Sequence, residues 1–216
     1  MYWILIVISQ TGTILSRTIK FVTGAPYNHS SIATVEGKNQ KGDLSSKFEL
    51  DTMFSFGRKY PNIPFVGGLV TEHIDSGTFA KFKGTTCKVI AIPVDKEIYD
   101  RAKICIDEML SNQDEYKYNI LGLVYALFDK KRQSEKHFYC SEFVRYVLAY
   151  AGLDCSGVSY YAPRPVNFES EEWVKKLGAQ IIYEGPLCDY PFYQKTEENS
   201  EKKESGGKLQ RVLKRI

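Results

Sequence analysis

The chain has 216 residues and a formal net charge of +3, from 29 Lys and Arg against 26 Asp and Glu. The excess lies entirely in residues 195–216, where seven bases accompany four acids, so residues 1–194 carry 22 charges of each sign. A nucleic-acid-binding domain carries its positive charge on the folded body, and the neutral body therefore argues against that class. A composition of 43% hydrophobic and 13% aromatic residues is typical of a globular protein with a buried core.

The first 93 residues are dominated by patterns typical of β-strands. Runs of apolar and β-branched residues predict strands at residues 3–8, 29–35, 50–56, 65–71 and 86–93. Between the first two, a helical spacing of apolar residues predicts a short helix over residues 12–23, which Gly24 and Pro26 end.

The apolar N-terminal run is too short to anchor the chain in a membrane. Residues 2–8 are far fewer than the roughly 20 that a membrane helix needs. The run also lacks the basic stretch and the small-residue cleavage site of a secretory signal. We therefore expect a cytoplasmic protein.

After residue 93 the apolar spacing changes to three or four residues, which predicts helices. They are expected at residues 95–112, 116–128, 140–152 and 170–177, with a last strand at 180–183. Asp95 is the expected N-cap of the first helix, and Gly152 the expected stop of the third. Strands that come first and helices that come later predict an α+β fold rather than an alternating βαβ fold. The predicted domain covers residues 1–194.

The tail, residues 195–216, differs in composition from the body. Its first part is polar and charged and predicts a disordered linker. At its end, residues 208–216 place Leu209, Val212, Leu213 and Ile216 along one side of a helix, with bases on the other. This short basic amphipathic segment predicts weak contact with anionic membranes.

The cysteine and motif content predicts no cofactor and no metal. Five widely spaced cysteines, at positions 87, 105, 140, 155 and 188, form no C-x-x-C pair, so neither a zinc site nor a disulfide framework is expected. The sequence also contains no G-x-G-x-x-G, P-loop, H-E-x-x-H or G-x-S-x-G motif. The oligomeric state is left open.

Cys140 stands where a loop becomes an amphipathic helix. The positive end of the helix dipole stabilises a thiolate there and lowers the pKa of the thiol. The N–H groups of the first turn, which have no acceptor within the helix, could bind an oxyanion. A lone cysteine is more often a core residue, so a structural role for Cys140 stays open.

His29 opens a predicted strand, which could fix its ring in the orientation that a general base needs. A structural imidazole is the alternative. His137, three residues before Cys140, is a second candidate base, but neighbours at a helix start rarely face each other. The residues alone therefore favour His29 over His137.

The order of the two residues resembles a circularly permuted papain fold, since papain has its cysteine helix first and its histidine strand later. Residues 27–32, Tyr-Asn-His-Ser-Ser-Ile, resemble the histidine strand of permuted NlpC-type cysteine hydrolases. Residues 139–144, Tyr-Cys-Ser-Glu-Phe-Val, resemble their cysteine helix start. The similarity is to the YiiX/YebB-like branch, related to the lecithin retinol acyltransferase group, and covers roughly residues 10–185. Tyr118, Asn119, Gly122 and residues 163–165 also resemble this branch.

The resemblance implies an antiparallel sheet packed against helices and a Cys–His active site. Cys140 would be the nucleophile and His29 the general base. The family places a polar third residue on the strand after the histidine strand. Ser55 is the polar residue in the core of that predicted strand, Asp51 lies nearer its start, and Glu72 is a further candidate. The third residue stays open among the three.

The function implied is a cysteine hydrolase, peptidase- or amidase-like, that cleaves a peptide-like amide or an ester through a thioester. A thiol acyltransferase that acts on acyl-lipids is the nearest enzymatic alternative. A third possibility is a non-catalytic module that keeps the groove to bind a peptide or a lipid. No nucleic-acid partner is expected.

Overall fold

The computed structural model describes residues 1–13, 17, 21, 24–37, 48, 50–58, 67–127 and 136–191. The helix predicted over residues 12–23 lies largely outside these ranges, and the tail at 195–216 lies wholly outside them. Both stay predictions, as does the membrane contact of residues 208–216.

The described residues form a six-stranded antiparallel sheet with helices packed against it, which confirms the α+β class. The strands are β1 (Tyr2–Gln10), β2 (His29–Glu36), β3 (Met53–Arg58), β4 (Gly67–Glu72), β5 (Thr86–Val94) and β8 (Gln180–Pro186). Their order in the sheet is β4-β3-β2-β1-β5-β8. A separate parallel pair joins the two-residue strands β6 (Lys117–Tyr118) and β7 (His137–Phe138). Each of the six strands predicted from sequence overlaps one strand of the large sheet.

Five α-helices lie in the described ranges. They are α1 (Gly77–Lys81), α2 (Lys96–Ser111), α3 (Ile120–Leu127), α4 (Cys140–Ala151) and α5 (Glu171–Lys176). The capping prediction for α2 is confirmed, since the Asp95 carboxylate accepts the Ile98 N–H at 2.8 Å. None of these helices is long and apolar enough to cross a bilayer.

The helix expected at residues 116–128 begins later than predicted, at Ile120, because Lys117–Tyr118 pairs with His137–Phe138 as β6. This pairing with a segment elsewhere in the chain overrides the helical spacing of the local sequence. A smaller difference occurs in β3, which was expected from residue 50 and begins at Met53. No pattern in the sequence indicated α1, β6 or β7.

The central strand β1 is buried on both faces, which explains its unbroken apolar run. On one face, Ile4, Ile6 and Ile8 belong to a core shared with α2 and α4. On the other, Trp3, Leu5 and Val7 pack in a second core with Phe79 of α1 and with Leu187 and Tyr190. The helix that begins with Cys140 is thus held against one face of the sheet.

Gly152 ends α4 in the left-handed region, at φ 93°. Replacing Gly152 with alanine is expected to lower the free energy of unfolding by about 1–2 kcal/mol, the cost of that conformation for an L-residue. Its Cβ would also meet an Arg101 guanidinium nitrogen at 2.9 Å. Urea unfolding measures the loss. Gly84→Ala is the control, because a Cβ at Gly84 meets open space, and an equal loss there would contradict the explanation.

Candidate active site

Cys140 is the first residue of α4, as the sequence predicts, and it is 5% exposed. Tyr139 is the N-cap, and the first helical bond runs from the Phe143 N–H to the Tyr139 carbonyl at 3.1 Å. The Cys140 N–H precedes that bond and has no acceptor within the helix. The thiol therefore lies beside backbone donors at the positive end of the helix dipole.

His29 is the first residue of β2, opposite Ser9 of β1. The next residue, Ser30, contacts α4, and its hydroxyl lies 3.0 Å from that of Ser141. This buried contact joins the start of the strand to the start of the helix. The imidazole of His29 and the thiol of Cys140 lie close enough for each to shift the pKa of the other.

The Nε2 atom of His29 faces a cluster of oxygens. Glu72 places its two carboxylate oxygens 2.9 and 3.1 Å from Nε2. The hydroxyls of Ser55 and Ser31 lie 3.2 and 3.3 Å from the same atom. Because Nε2 is surrounded in this way, Nδ1 is the ring nitrogen left for the thiol.

Two of the three candidates for the third residue meet at His29. Glu72 is the last residue of β4, and its carboxylate also accepts a hydrogen bond from the Ser31 hydroxyl. Ser55 is fully buried and lies on β3, the strand between β2 and β4. Asp51 is brought to a different histidine, since its carbonyl lies 2.6 Å from Nδ1 of His73 and its side chain is 70% exposed. The structure therefore does not bring Asp51 to His29.

The electrostatics of the pair favour a thiolate and an imidazolium. Burial opposes the charge on His29, but the Glu72 carboxylate and the hydrogen bonds to Cys140 and Glu72 raise its pKa well above the usual value. Burial likewise opposes the Cys140 thiolate, but the hydrogen bond and the charge of His29 outweigh it. With hydrogen bonds from Ser30, they lower the pKa of Cys140. Each group stabilises the charged form of the other.

The other cysteines show the opposite shift. Burial raises the pKa of Cys87 and of Cys105 to about 12. Burial also raises the pKa of Cys155 and, with help from Asp189, that of Cys188. Cys140 therefore stands apart from the other four by its electrostatic surroundings.

Two polar residues behind the helix start were not assigned a role from the sequence. The Glu142 carboxylate accepts the Tyr139 N–H at 2.9 Å and an Asn119 amide hydrogen at 3.2 Å. A glutamate three residues after the N-cap is the signal of a capping box, and it could have identified Glu142. No local pattern indicates that Asn119 would be its partner.

Beside the thiol the walls of the site are apolar. Cys140 forms a small buried cluster with Tyr139 and Ala162, against which Tyr118 and Leu123 pack. Tyr139 also donates its hydroxyl to the Pro163 carbonyl at 3.0 Å, which fixes this loop against the start of α4. The site thus combines a polar line of Cys140, His29 and Glu72 with apolar sides.

Comparisons with protein-family models, with curated proteins and with solved structures gave no match. The chemistry that the site can perform follows from its own geometry. A thiol, an imidazole and a carboxylate that interact in this order are the parts needed for nucleophilic attack on a carbonyl.

Proposed function

We propose that the protein is a cysteine hydrolase with a permuted papain-like fold of the NlpC type. Cys140 is the nucleophile, His29 the general base and Glu72 the group that orients the ring. One observation carries this proposal: His29 lies close enough to Cys140 to lower the pKa of the thiol, while its Nε2 lies 2.9 Å from the Glu72 carboxylate. The order of a histidine strand before a cysteine helix supports the permuted fold.

The proposed reaction has two steps. The Cys140 thiolate attacks the carbonyl carbon of an amide or ester, and the Cys140 N–H donates to the oxygen that becomes negative. Imidazolium His29 gives its Nδ1 proton to the leaving amine or alcohol, which leaves a thioester on Cys140. Water then attacks the thioester, His29 takes a proton from that water, and the acid leaves with the thiol restored.

A peptide-like amide is the first candidate substrate, because of the resemblance to NlpC-type hydrolases. A second candidate, acyl transfer from an acyl-lipid, is favoured by the apolar side of the site. Leu121, Val124 and Tyr125 are exposed on α3, the helix that carries Leu123 against the Cys140 cluster. A rate of Cys140 acylation that rises from p-nitrophenyl acetate to p-nitrophenyl octanoate would favour the lipid over the amide.

Alkylation tests the proposal without knowledge of the substrate. We expect iodoacetamide to label Cys140 fastest of the five cysteines near neutral pH, because the His29 contact lowers the pKa of its thiol. Peptide mass mapping across a pH series gives the apparent pKa of Cys140, which should fall below the value of about 8.5 for a free thiol.

Cys188 is the internal control, since it is more exposed than Cys140 but has a raised pKa. Labelling that follows exposure, with Cys188 ahead of Cys140, would contradict the enzyme and support a non-catalytic binding module.

The tail's membrane contact is a separate proposal. If deletion of residues 196–216 leaves co-sedimentation with anionic vesicles unchanged, the proposed membrane contact of the tail is wrong.

A further inference from the structure

The start of the nucleophile helix is tied to the start of a neighbouring helix by two side chains. Asn119 directly precedes α3, and Glu142 lies in the first turn of α4. An amide hydrogen of Asn119 donates to the Glu142 carboxylate at 3.2 Å. The same carboxylate oxygen accepts the N–H of Tyr139, the residue before Cys140, at 2.9 Å.

Asn119 is fixed on its other side as well. Its side-chain oxygen accepts the Gly122 N–H at 2.8 Å, and its backbone N–H donates to the Phe138 carbonyl at 2.8 Å. The residue therefore bonds at once to α3, to β7 and to Glu142. An amide side chain suits this position because it both accepts and donates, whereas a carboxylate can only accept when ionised.

Gly122 leaves the room that this arrangement requires. A Cβ at Gly122 would lie 2.1 Å from the Asn119 side-chain nitrogen. Asn119 is only 6% exposed and is bonded on both sides, so it has no free direction in which to move. The absence of a side chain at position 122 is thus coupled to the contact with Glu142.

The Glu142 carboxylate is held away from water. Burial raises its pKa to about 7, against the opposing effect of the hydrogen bonds from the Tyr139 N–H and from Asn119. Removing the carboxylate would leave those two donors without their acceptor in a partly buried place.

We infer that Asn119 and Glu142 form a positioning clamp that holds Cys140 in line with His29. The clamp acts on the Phe138–Tyr139 peptide, whose N–H donates to Glu142 and whose carbonyl accepts from the Asn119 N–H, and it touches neither the thiol nor the imidazole. This inference rests on the proposed function, because it assumes that the Cys140–His29 contact matters. A small displacement of reacting groups is costly in rate, so a clamp on the helix start contributes to reactivity.

Iodoacetamide labelling of Cys140 in the full-length protein tests the clamp. Glu142→Ala is expected to slow labelling at pH 7 by about tenfold and to raise the apparent pKa of the thiol, since the contacts with His29 and Ser30 loosen. Glu142→Gln keeps an oxygen that accepts from both donors and should retain wild-type labelling. Asn119→Asp keeps the cap of α3 but loses the donor, and should behave like Glu142→Ala.

Two further variants separate positioning from general stability. Leu148→Ala removes a fully buried side chain from the same helix, six residues after Glu142, and is expected to lower Tm while leaving the thiol pKa unchanged. Gly122→Ala, which keeps both clamp residues, should raise the thiol pKa by displacing Asn119. Gly122→Ala therefore tests the clamp even if Glu142→Ala does not fold.

The outcomes are distinct. Unchanged labelling in Asn119→Asp and Gly122→Ala, or an equal pKa shift in Leu148→Ala, would overturn the clamp. An ordinary thiol pKa at Cys140 in the wild type would instead overturn the proposed function. A pKa that is low in the wild type and in Glu142→Gln, and raised in the other clamp variants, supports both.

Discussion

Replacing His29 with alanine is expected to return Cys140 to a protonated, unreactive thiol near neutral pH. The hydrogen bond and the charge of His29 are the main effects that lower the pKa of Cys140, while burial raises it. Without the imidazole the effect of burial remains. We expect acylation by p-nitrophenyl acetate at pH 7 to slow by about 10²- to 10⁴-fold, the usual contribution of a positioned general base.

The acylation rate of His29→Ala should depend on pH differently from that of the wild type. In the wild type the pKa of Cys140 is lowered and that of His29 is raised, so the ion pair exists in the range between the two values. Reactivity should be lost on the acid side only when Cys140 takes up its proton. In His29→Ala the rate should rise only in the alkaline range, where a buried thiol finally ionises.

His137→Ala is the matched control for His29→Ala. His137 lies three residues before Cys140 in β7, and it is not among the groups that lower the pKa of the thiol. We expect its replacement to leave the acylation rate near that of the wild type. Equal losses in the two variants would remove His29 from its proposed role as the base.

The elements that carry Cys140 and His29 could be predicted because their signals are local. The spacing of Phe143, Val144, Val147 and Leu148 defines one face of α4, and the structure buries that face. His29 begins a strand of alternating pattern, and the structure begins β2 at that residue. Capping and periodicity are properties of neighbouring residues, so a single sequence displays them.

Which of the three candidates would lie beside His29 could not be chosen because the choice depends on strand order. Glu72 lies 43 residues from His29, and it reaches the ring from β4, two strands away in the sheet. Asp51 is closer in the sequence but comes to lie beside His73. Which strand neighbours which is decided by packing of the whole sheet, and local patterns contain little of that information.

The contact between the clamp residues Asn119 and Glu142 could not be predicted from the sequence either. The helical spacing of residues 116–128 includes Asn119. In the structure, however, β6 occupies the start of this range and α3 begins only after Asn119. The reason is the pairing of Lys117–Tyr118 with His137–Phe138, which brings Asn119 to Glu142. A contact between two residues that are 23 positions apart does not produce a periodic pattern in the sequence.

Glu72→Gln is expected to have the second large effect. The Glu72 carboxylate is the main effect that raises the pKa of His29, and glutamine keeps the shape without the charge. The imidazolium that forms during the reaction therefore loses its stabilising partner. By comparison with orienting carboxylates in catalytic triads, we expect the rate of Cys140 acylation by p-nitrophenyl acetate to fall by up to about 10⁴-fold.

The alkaline limb of the pH profile should also move to lower pH in Glu72→Gln. Loss of the carboxylate lowers the pKa of His29, so the imidazolium of the ion pair loses its proton at a lower pH. The acid limb should stay near its wild-type position, because protonated His29 carries the same charge and Glu72 is not among the groups that shift the pKa of Cys140. The profile of acylation against pH should therefore narrow from its alkaline side.

Ser55→Ala distinguishes the carboxylate from the hydroxyl that shares Nε2 with it. Ser55 lies 3.2 Å from Nε2 but carries no charge, and its removal leaves Glu72 at 2.9 Å. The loss of one neutral hydrogen bond, of about 1 kcal/mol, should slow acylation by less than tenfold and leave both limbs in place. A larger loss in Ser55→Ala than in Glu72→Gln would make the hydroxyl the orienting group, because the ring would then depend on geometry at Nε2 rather than on the charge beside it.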